Sequence, residues 1–257
     1  TKGEDPPSGA VVGVLTGTLQ LLENRATHVG VATDHVIESF RNGLWPGYKT
    51  GEGIEPALRA QFQPLEDGLA AMGVVVWPMW DLEADDALAS AAHLASKDAA
   101  VQKVLIWTPD KDLAQCVRGD HVVQVDRRAR KIRTAGDIRE KFGVAPELIP
   151  DFLALVGDAA DGYPGISGIG AVGAARLVNE HGAIESFPWN ILGDQLQTAM
   201  LFKQLATLRT DANLFRDVES LRWTGPTPSF GPWTERIGAP KLLERALAVQ
   251  AAVQARR

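Results

Sequence analysis

The sequence predicts an α/β protein: a mostly parallel sheet with helices on both faces, followed by a wholly helical region. Three observations carry that prediction. Short β-branched runs alternate with helical periodicity through the first half. Those runs are apolar on both faces, as strands buried under helices are. After Asp126 only helical periodicity remains, interrupted by Gly and Pro.

Residues 10–23, AVVGVLTGTLQLLE, carry apolar side chains at helical spacing, and THVGVATD is a β-branched run closing on Asp34. A helix over EPALRAQFQPLEDGLAAMG, a strand in VVVW, a helix over ADDALASAAHLASK and a strand in KVLIW follow. A short helical DLAQC then leads to the strand HVVQVD. Beyond it, TAGDIREKFG, PELIPDFLALVG, GAVGAARLVNEHG and QLQTAMLFKQLATLR read as helices, and ALAVQAAVQARR as a closing surface helix. The economical division is residues 1–150 for the α/β part and 151–257 for the helical part. The opening TKGEDPPSG, led by Thr1, is loop-like and reads as the interior of a longer protein.

At 257 residues and 45% apolar content the chain can bury an ordinary core. Its 26 Lys and Arg against 32 Asp and Glu give a net charge of −6, which argues superficially against a nucleic-acid partner. Cys116 stands alone, so no internal disulfide forms and a reducing compartment is expected. No apolar run reaches the roughly 18 residues that span a bilayer. The expectation is a cytoplasmic protein without a membrane partner.

Ligands of open α/β sheets bind outside the carboxyl ends of the strands. Asp34 closes one strand; Glu83, Asp85 and Asp86 follow the next; Asp110 and Asp112 follow KVLIW; Asp158 and Asp161 stand in GDAADG, near the start of the helical part. Like charges 4 Å apart repel by roughly 4 kcal/mol at an effective dielectric of about 20, so such a gathering needs counter-cations. Oxygen donors without His or Cys suit Mg²⁺ or Mn²⁺. Two such ions roughly 4 Å apart activate a water and stabilise a leaving oxygen in phosphodiester hydrolysis. Each group also has a plainer reading: an acidic first helical turn for Glu83, Asp85 and Asp86, an N-cap for Asp110, turn residues for Asp158 and Asp161. Their joint placement at one edge favours a metal site.

GYPGISGIGAVGAARLVNEHG sets Gly165, Gly168 and Gly170 in a tight loop before an Ala-rich helix, a helix-hairpin-helix pattern whose usual ligand is a nucleic-acid phosphate. A glycine turn that merely lets two helices pack is the alternative. The 32 acids less the eight clustered ones leave 24 against 26 bases, so the acidic balance does not exclude DNA. In DRRARKIR, Arg127, Arg128, Arg130, Lys131 and Arg133 suit either phosphate contact or a solvated hairpin. Arg41, Tyr48 and Lys49 in SFRNGLWPGYKTG combine cations with an aromatic platform for a base.

Taken together, SFRNGLWPGYK, LEADDALAS, TPDKDLAQ, VGDAADGYPGISGIGAVGAARLV and KQLATLRTD resemble, in order, the bacterial 5′ nuclease family of flap endonucleases and DNA polymerase I 5′-3′ exonuclease domains. The resemblance implies a PIN-like catalytic domain joined to a helix-three-turn-helix region. It implies metal ligation by Asp34, Glu83, Asp85, Asp86, Asp110, Asp112, Asp158 and Asp161. Arg41, Tyr48 and Lys49 would lie near an arch that receives the 5′ strand, with Arg41 and Lys49 catalytic. Lys49 would stabilise transition-state charge. The loop from Gly165 to Gly170 would hold the duplex backbone, with a K⁺ on its carbonyls. The implied activity is hydrolysis of DNA by a monomer at a 5′ end, flap or branch, leaving a 5′ phosphate and a 3′ hydroxyl. Relatives open with a strand bearing a further metal-binding Asp, which does not precede Thr1, and many place another basic residue where TGEGIEP follows Lys49. An omitted N-terminal segment is the expected reason for the first difference. The rival readings are a non-catalytic branched-DNA-binding protein of the same fold and a PIN-type ribonuclease.

Overall fold

Apolar spacing along residues 10–23 produces helix α1 (Gly9–Glu23), whose buried stripe is Val11, Leu15, Leu19 and Leu22. The structure, a computed structural model, describes residues 8–255. Most of the expected opening loop and the last two residues of the chain therefore lie outside the described residues. After α1 come β1 (Gly30–Asp34), α2 (Phe40–Leu44), α3 (Pro56–Arg59), α4 (Phe62–Ala71), β2 (Val75–Met79) and α5 (Ala84–Ala95). β3 (Val104–Ile106), β4 (Val122–Asp126), β5 (Lys131–Arg133) and α6 (Ala135–Phe142) follow. The remainder is helical: α7 (Ile149–Val156), α8 (Ala171–His181), α9 (Trp189–Leu192), α10 (Leu196–Ala206), α11 (Phe230–Arg236) and α12 (Lys241–Gln254).

The chain divides into two compact units, each assembled from separated segments. One unit comprises Thr1–Val36, Gly51–Trp80 and Phe215–Arg257. In it β1 and β2 pair in parallel from Gly30↔Val75 to Asp34↔Met79. The α1 stripe packs there with Leu69, Met72, Trp223, Phe230, Trp233, Leu242, Ala246 and Val249. Trp223 donates its indole N–H to the Met72 carbonyl, 2.9 Å away.

The other unit comprises Ile37–Thr50 and Asp81–Leu214. Its sheet has the order β3-β4-β5, the first pair parallel and the second antiparallel. One apolar cluster there joins Tyr48, Ala114, Ile138, Val144 and Ile149 to Leu153, Leu155, Tyr163, Ala174, Phe202 and Leu205. A smaller one joins Ala89 and Ala92 of α5 to Ile106, Leu113, Val122 and Leu208.

Helices and strands alternate as expected, and four details differ from the sequence reading. The described strands form two small sheets, because strand periodicity marks a strand and not its non-local partner. A solvated hairpin was one reading of the basic run, but no strand was read after Asp126: in β5 KIR has no apolar face, Ile132 is exposed, and its backbone ladder to β4 defines it, as on a charged edge strand. The helix expected over residues 55–73 is broken between α3 and α4. There the Gln61 side-chain oxygen instead receives the Ala10 and Val11 N–H groups at the start of α1, at 3.1 and 3.3 Å. Finally, the closing helix starts at Lys241 and buries Leu242, Ala246 and Val249, so it is a core helix with one solvent face. Among the described residues no helix is long and apolar enough to cross a membrane.

Candidate metal centre

The start of α5 separates two kinds of acid. Glu83 caps the helix and Asp86 turns back to accept the Glu83 N–H at 3.0 Å. Asp86 is fully buried and is also gripped by Arg41, whose two terminal nitrogens lie 2.7 and 2.8 Å from its oxygens. Arg41 further donates to Glu83 at 3.2 Å, to the Leu205 carbonyl at 2.8 Å and to the Thr207 carbonyl at 3.2 Å. The five donors of a guanidinium are thereby all matched to acceptors inside the protein. Glu83 receives the Ser39 hydroxyl at 2.8 Å, the Tyr48 hydroxyl at 3.3 Å and the Lys49 ammonium at 2.8 Å.

Asp85 points elsewhere. Asp85, Asp110 and Asp112 form one group of carboxylates able to share an ion, Asp112, Asp158 and Asp161 a second, and within each group the ligand atoms lie within 4.8 Å of one another. Asp112 belongs to both. Asp110 and Asp112 stand after the carboxyl end of β3, and Asp158 and Asp161 after the carboxyl end of α7. In the turn following α7, Asp158 accepts the Ala160 N–H at 2.9 Å. Two lysines reach into the cluster: Lys49, 3.0 Å from Asp161, and Lys111, 2.7 Å from Asp158.

Burial and the neighbouring charges of Asp161, Asp110, Asp158 and Asp85 hold the Asp112 carboxyl well above the ordinary aspartate range. Burial also raises Asp161, against the opposing pull of Lys49 and with the help of Asp158 and Glu83. Burial alone would lower Lys49, yet Glu83 and Asp161 hold its ammonium above the usual lysine range. One Asp112 oxygen, Oδ1, is buried without any hydrogen-bond partner. Such an orphan among like charges fits a hard divalent cation, and a donor set of carboxylates alone suits Mg²⁺ or Mn²⁺ chemically.

A close backbone crossing brings Lys49 to this cluster. The Lys49 N–H donates to the Asp161 carbonyl at 3.1 Å and the Trp45 indole N–H to the Gly162 carbonyl at 2.9 Å. Gly162 has φ +83°, and a Cβ there would lie 1.9 Å from the Gly47 carbonyl oxygen. Gly162→Ala is therefore expected to cost at least about 2 kcal/mol, from left-handed strain and overpacking together. Urea denaturation measures it, and an unchanged midpoint would refute the crossing.

The helical hairpin forms as expected from α7 and α8, with two different kinds of glycine. A Cβ on Gly165 would lie 2.4 Å from the Gly157 nitrogen and 2.6 Å from the Leu155 carbonyl oxygen, so Gly165 serves chain packing. Gly168 and Gly170, the latter capping α8, have open space where a side chain would be.

Of the acids expected at the site, Asp85, Asp110, Asp112, Asp158 and Asp161 come together, with Glu83 joined to Asp161 through Lys49. Asp86 does not join them, because Arg41 and two backbone N–H groups, of Glu83 and Arg209, take its oxygens. Asp34 ends β1 in the other unit, flanked by Thr33 and His35, which both bond Glu66. Arg41 and Tyr48 were expected to meet substrate, but both are buried, at 1% and 4% exposure, and Tyr48 has no open ring face for a base. Lys49 keeps partial exposure. The basic run 127–133 is the β4–β5 hairpin, with Arg133 paired to Asp126 and Lys131 to Asp137. The sequence reading missed Ser39 and Lys111. SFRN carries a capping-box signal for Ser39, and Lys111 is the base enclosed in PDKD.

The family model described as 5′-3′ exonuclease, N-terminal resolvase-like domain, covers residues 1–143. The one described as 5′-3′ exonuclease, C-terminal SAM fold, covers residues 144–229. DNA polymerase I of Pseudomonas aeruginosa is 34% identical over 241 residues, covering 86% of this chain and 26% of that protein. The chain thus spans about a quarter of the length of that relative. Flap endonuclease Xni of Edwardsiella ictaluri is 32% identical over 203 residues, covering 75% of this chain and 79% of that protein. Among solved structures, a mutant of T5 5′-exonuclease superposes with a TM-score of 0.67 at 19% identity, covering 92% of each chain, which shows a shared fold.

Proposed function

We propose, on the premise that this chain belongs to the 5′-3′ exonuclease family, that it is a structure-specific 5′ nuclease hydrolysing DNA at a 5′ end, flap or branched duplex. The observation that carries the reading is the pair of carboxylate groups sharing Asp112, whose buried Oδ1 has no partner. Asp85, Asp110, Asp112, Asp158 and Asp161 are the residues to hold Mg²⁺ or Mn²⁺. Divalent ions held there would supply the activation of a water and the stabilisation of the leaving oxygen of a phosphodiester. Lys49, partly exposed and 2.8 Å from Glu83, is the ammonium placed to hold charge building on the phosphate, and Glu83 fixes its direction. Arg41, Asp86 and Tyr48 hold Glu83 and the Lys49 loop in place.

The α8 end of the hairpin, open at Gly168 and Gly170, suits the duplex backbone, with a K⁺ on the loop carbonyls as part of the same proposal. In this division of labour the part over residues 1–150 brings Lys49, Asp85, Asp110 and Asp112 to the cutting site, while the part over 151–257 adds Asp158 and Asp161 to it and grips the duplex through the hairpin. Work as a cytoplasmic, nucleoid-associated monomer completes the reading. A 5′-labelled flap duplex tests it: Mg²⁺ is expected to release the flap with a 5′ phosphate on the shortened strand, and EDTA to stop release. Flap release that persists in EDTA, or none with Mg²⁺, rejects the reading.

A further inference from the structure

Lys111 lies between two members of the carboxylate cluster, Asp110 and Asp112, and its ammonium is seated 2.7 Å from Oδ2 of a third, Asp158. Asp158 is 2% exposed, and its other oxygen takes the Ala160 N–H at 2.9 Å. Lys111 itself keeps a side-chain exposure of 35%, so its stem is free to swing outwards. Asp158 also belongs to the group Asp112, Asp158, Asp161 that can share an ion. A dication entering that group meets ammonium groups on two of its three carboxylates, Lys111 on Asp158 and Lys49 on Asp161. The dication and the Lys111 ammonium repel at this separation, and both cannot hold Asp158 fully.

We propose that Lys111 is the resident counter-cation of this half of the site: it neutralises Asp158 while no metal is bound and is displaced when a divalent ion enters. The inference rests on the metal-site reading above and adds to it a named competitor. Lys49 differs, because it bridges Asp161 to Glu83, and Glu83 is outside both ion-sharing groups, so Lys49 keeps a partner after yielding Asp161. Lys111 therefore sets how readily the site fills, and it compensates Asp158 as Lys49 compensates Asp161.

The test is equilibrium Mn²⁺ binding, read by the paramagnetic resonance of free Mn²⁺ at low ionic strength without DNA, for wild type, Lys111→Met, Lys111→Arg and Asp112→Asn. Removing a competing ion pair of this exposure is expected to tighten Mn²⁺ binding by roughly threefold in Lys111→Met. Lys111→Arg is expected to restore the wild-type value. Melting without metal gives the second readout: Lys111→Met melts below wild type, and saturating Mn²⁺ removes most of that gap. Equal or weaker Mn²⁺ binding by Lys111→Met overturns the assignment to Lys111. If that happens while Asp112→Asn still loses the ion, the metal site stands and only the competitor falls. If wild type binds no Mn²⁺, or Asp112→Asn binds it unchanged, the site reading falls and this inference with it.

Discussion

Asp112→Asn is expected to lose metal-dependent cleavage by at least about a hundredfold, more than the loss typical for a residue that only supports a metal ligand. The same substitution is expected to raise the melting temperature of the metal-free protein. Both follow from one placement. Asp112 is the carboxylate common to the two ion-sharing groups, and its Oδ1 is buried with no hydrogen bond. Burial and four neighbouring acids raise its native pKa well above the unfolded value. Below about pH 4 the carboxyl is protonated both folded and unfolded, and it adds no pH dependence. As pH rises above that, the unfolded chain ionises while the native carboxyl is held back, so native stability falls until the raised native value is passed. The cost is then complete. Asparagine keeps the shape without the charge, so the melting-temperature gap between variant and wild type opens from about pH 4 upward. It should reach a few degrees near neutrality, since about 1 kcal/mol corresponds to roughly 2–4 °C for a chain of this size. Mg²⁺ should close the gap by stabilising wild type alone. Calorimetry from pH 4 to 8, with and without Mg²⁺, decides it. A gap that widens towards pH 4, or retained cleavage, would contradict the placement of Asp112. Stability gained where activity is lost marks a site held together against its own repulsion.

The fold class was legible because it depends on local periodicity. α1, α5 and α8 announce themselves by apolar spacing, and β4, buried at every position, by its β-branched run. The cluster was legible through a positional rule, that acids just past strand ends face the ligand edge, and this located Asp110 and Asp112. What the rule cannot resolve is direction within one helical turn. Asp85 and Asp86 are adjacent, yet one joins the cluster and the other turns inward to Arg41, because successive helical residues point about 100° apart. Arg41 and Tyr48 read as substrate contacts because a cation beside an aromatic ring suits a phosphate and a stacked base. Their burial depends on acceptors more than 160 residues away in the case of Arg41, at Leu205 and Thr207, which no local pattern reveals. Gly165 and Gly168 look alike in sequence, and only the close approach of residues 155–157 separates a packing glycine from an open one.

Arg41→Ala is expected to destabilise the protein by about 3–5 kcal/mol, the cost of leaving a buried carboxylate without its cation. At 1% exposure Arg41 joins α2 to Asp86 on α5 and to the carbonyls at the end of α10. Without the guanidinium, Asp86 stays buried, and the Leu205 carbonyl loses its donor. Lysine cannot repair this, since a single ammonium does not span two carboxylate oxygens and two carbonyls, so Arg41→Lys should recover less than half of the loss. An arginine acting on a substrate phosphate would behave oppositely, with cleavage falling and the denaturation midpoint unchanged. Urea denaturation beside flap cleavage, at a temperature where both variants remain folded, separates the two. The double variant Arg41→Met with Asp86→Leu sharpens the distinction. Removing both charges relieves the unpaired-ion penalty, but the Glu83 and Arg209 N–H groups, at 3.0 and 2.9 Å from Asp86, then lack their acceptor. The double variant should therefore be more stable than Arg41→Ala and less stable than wild type. Glu83 and Lys49 depend on this clamp for their position, so cleavage should stay low even in a refolded double variant.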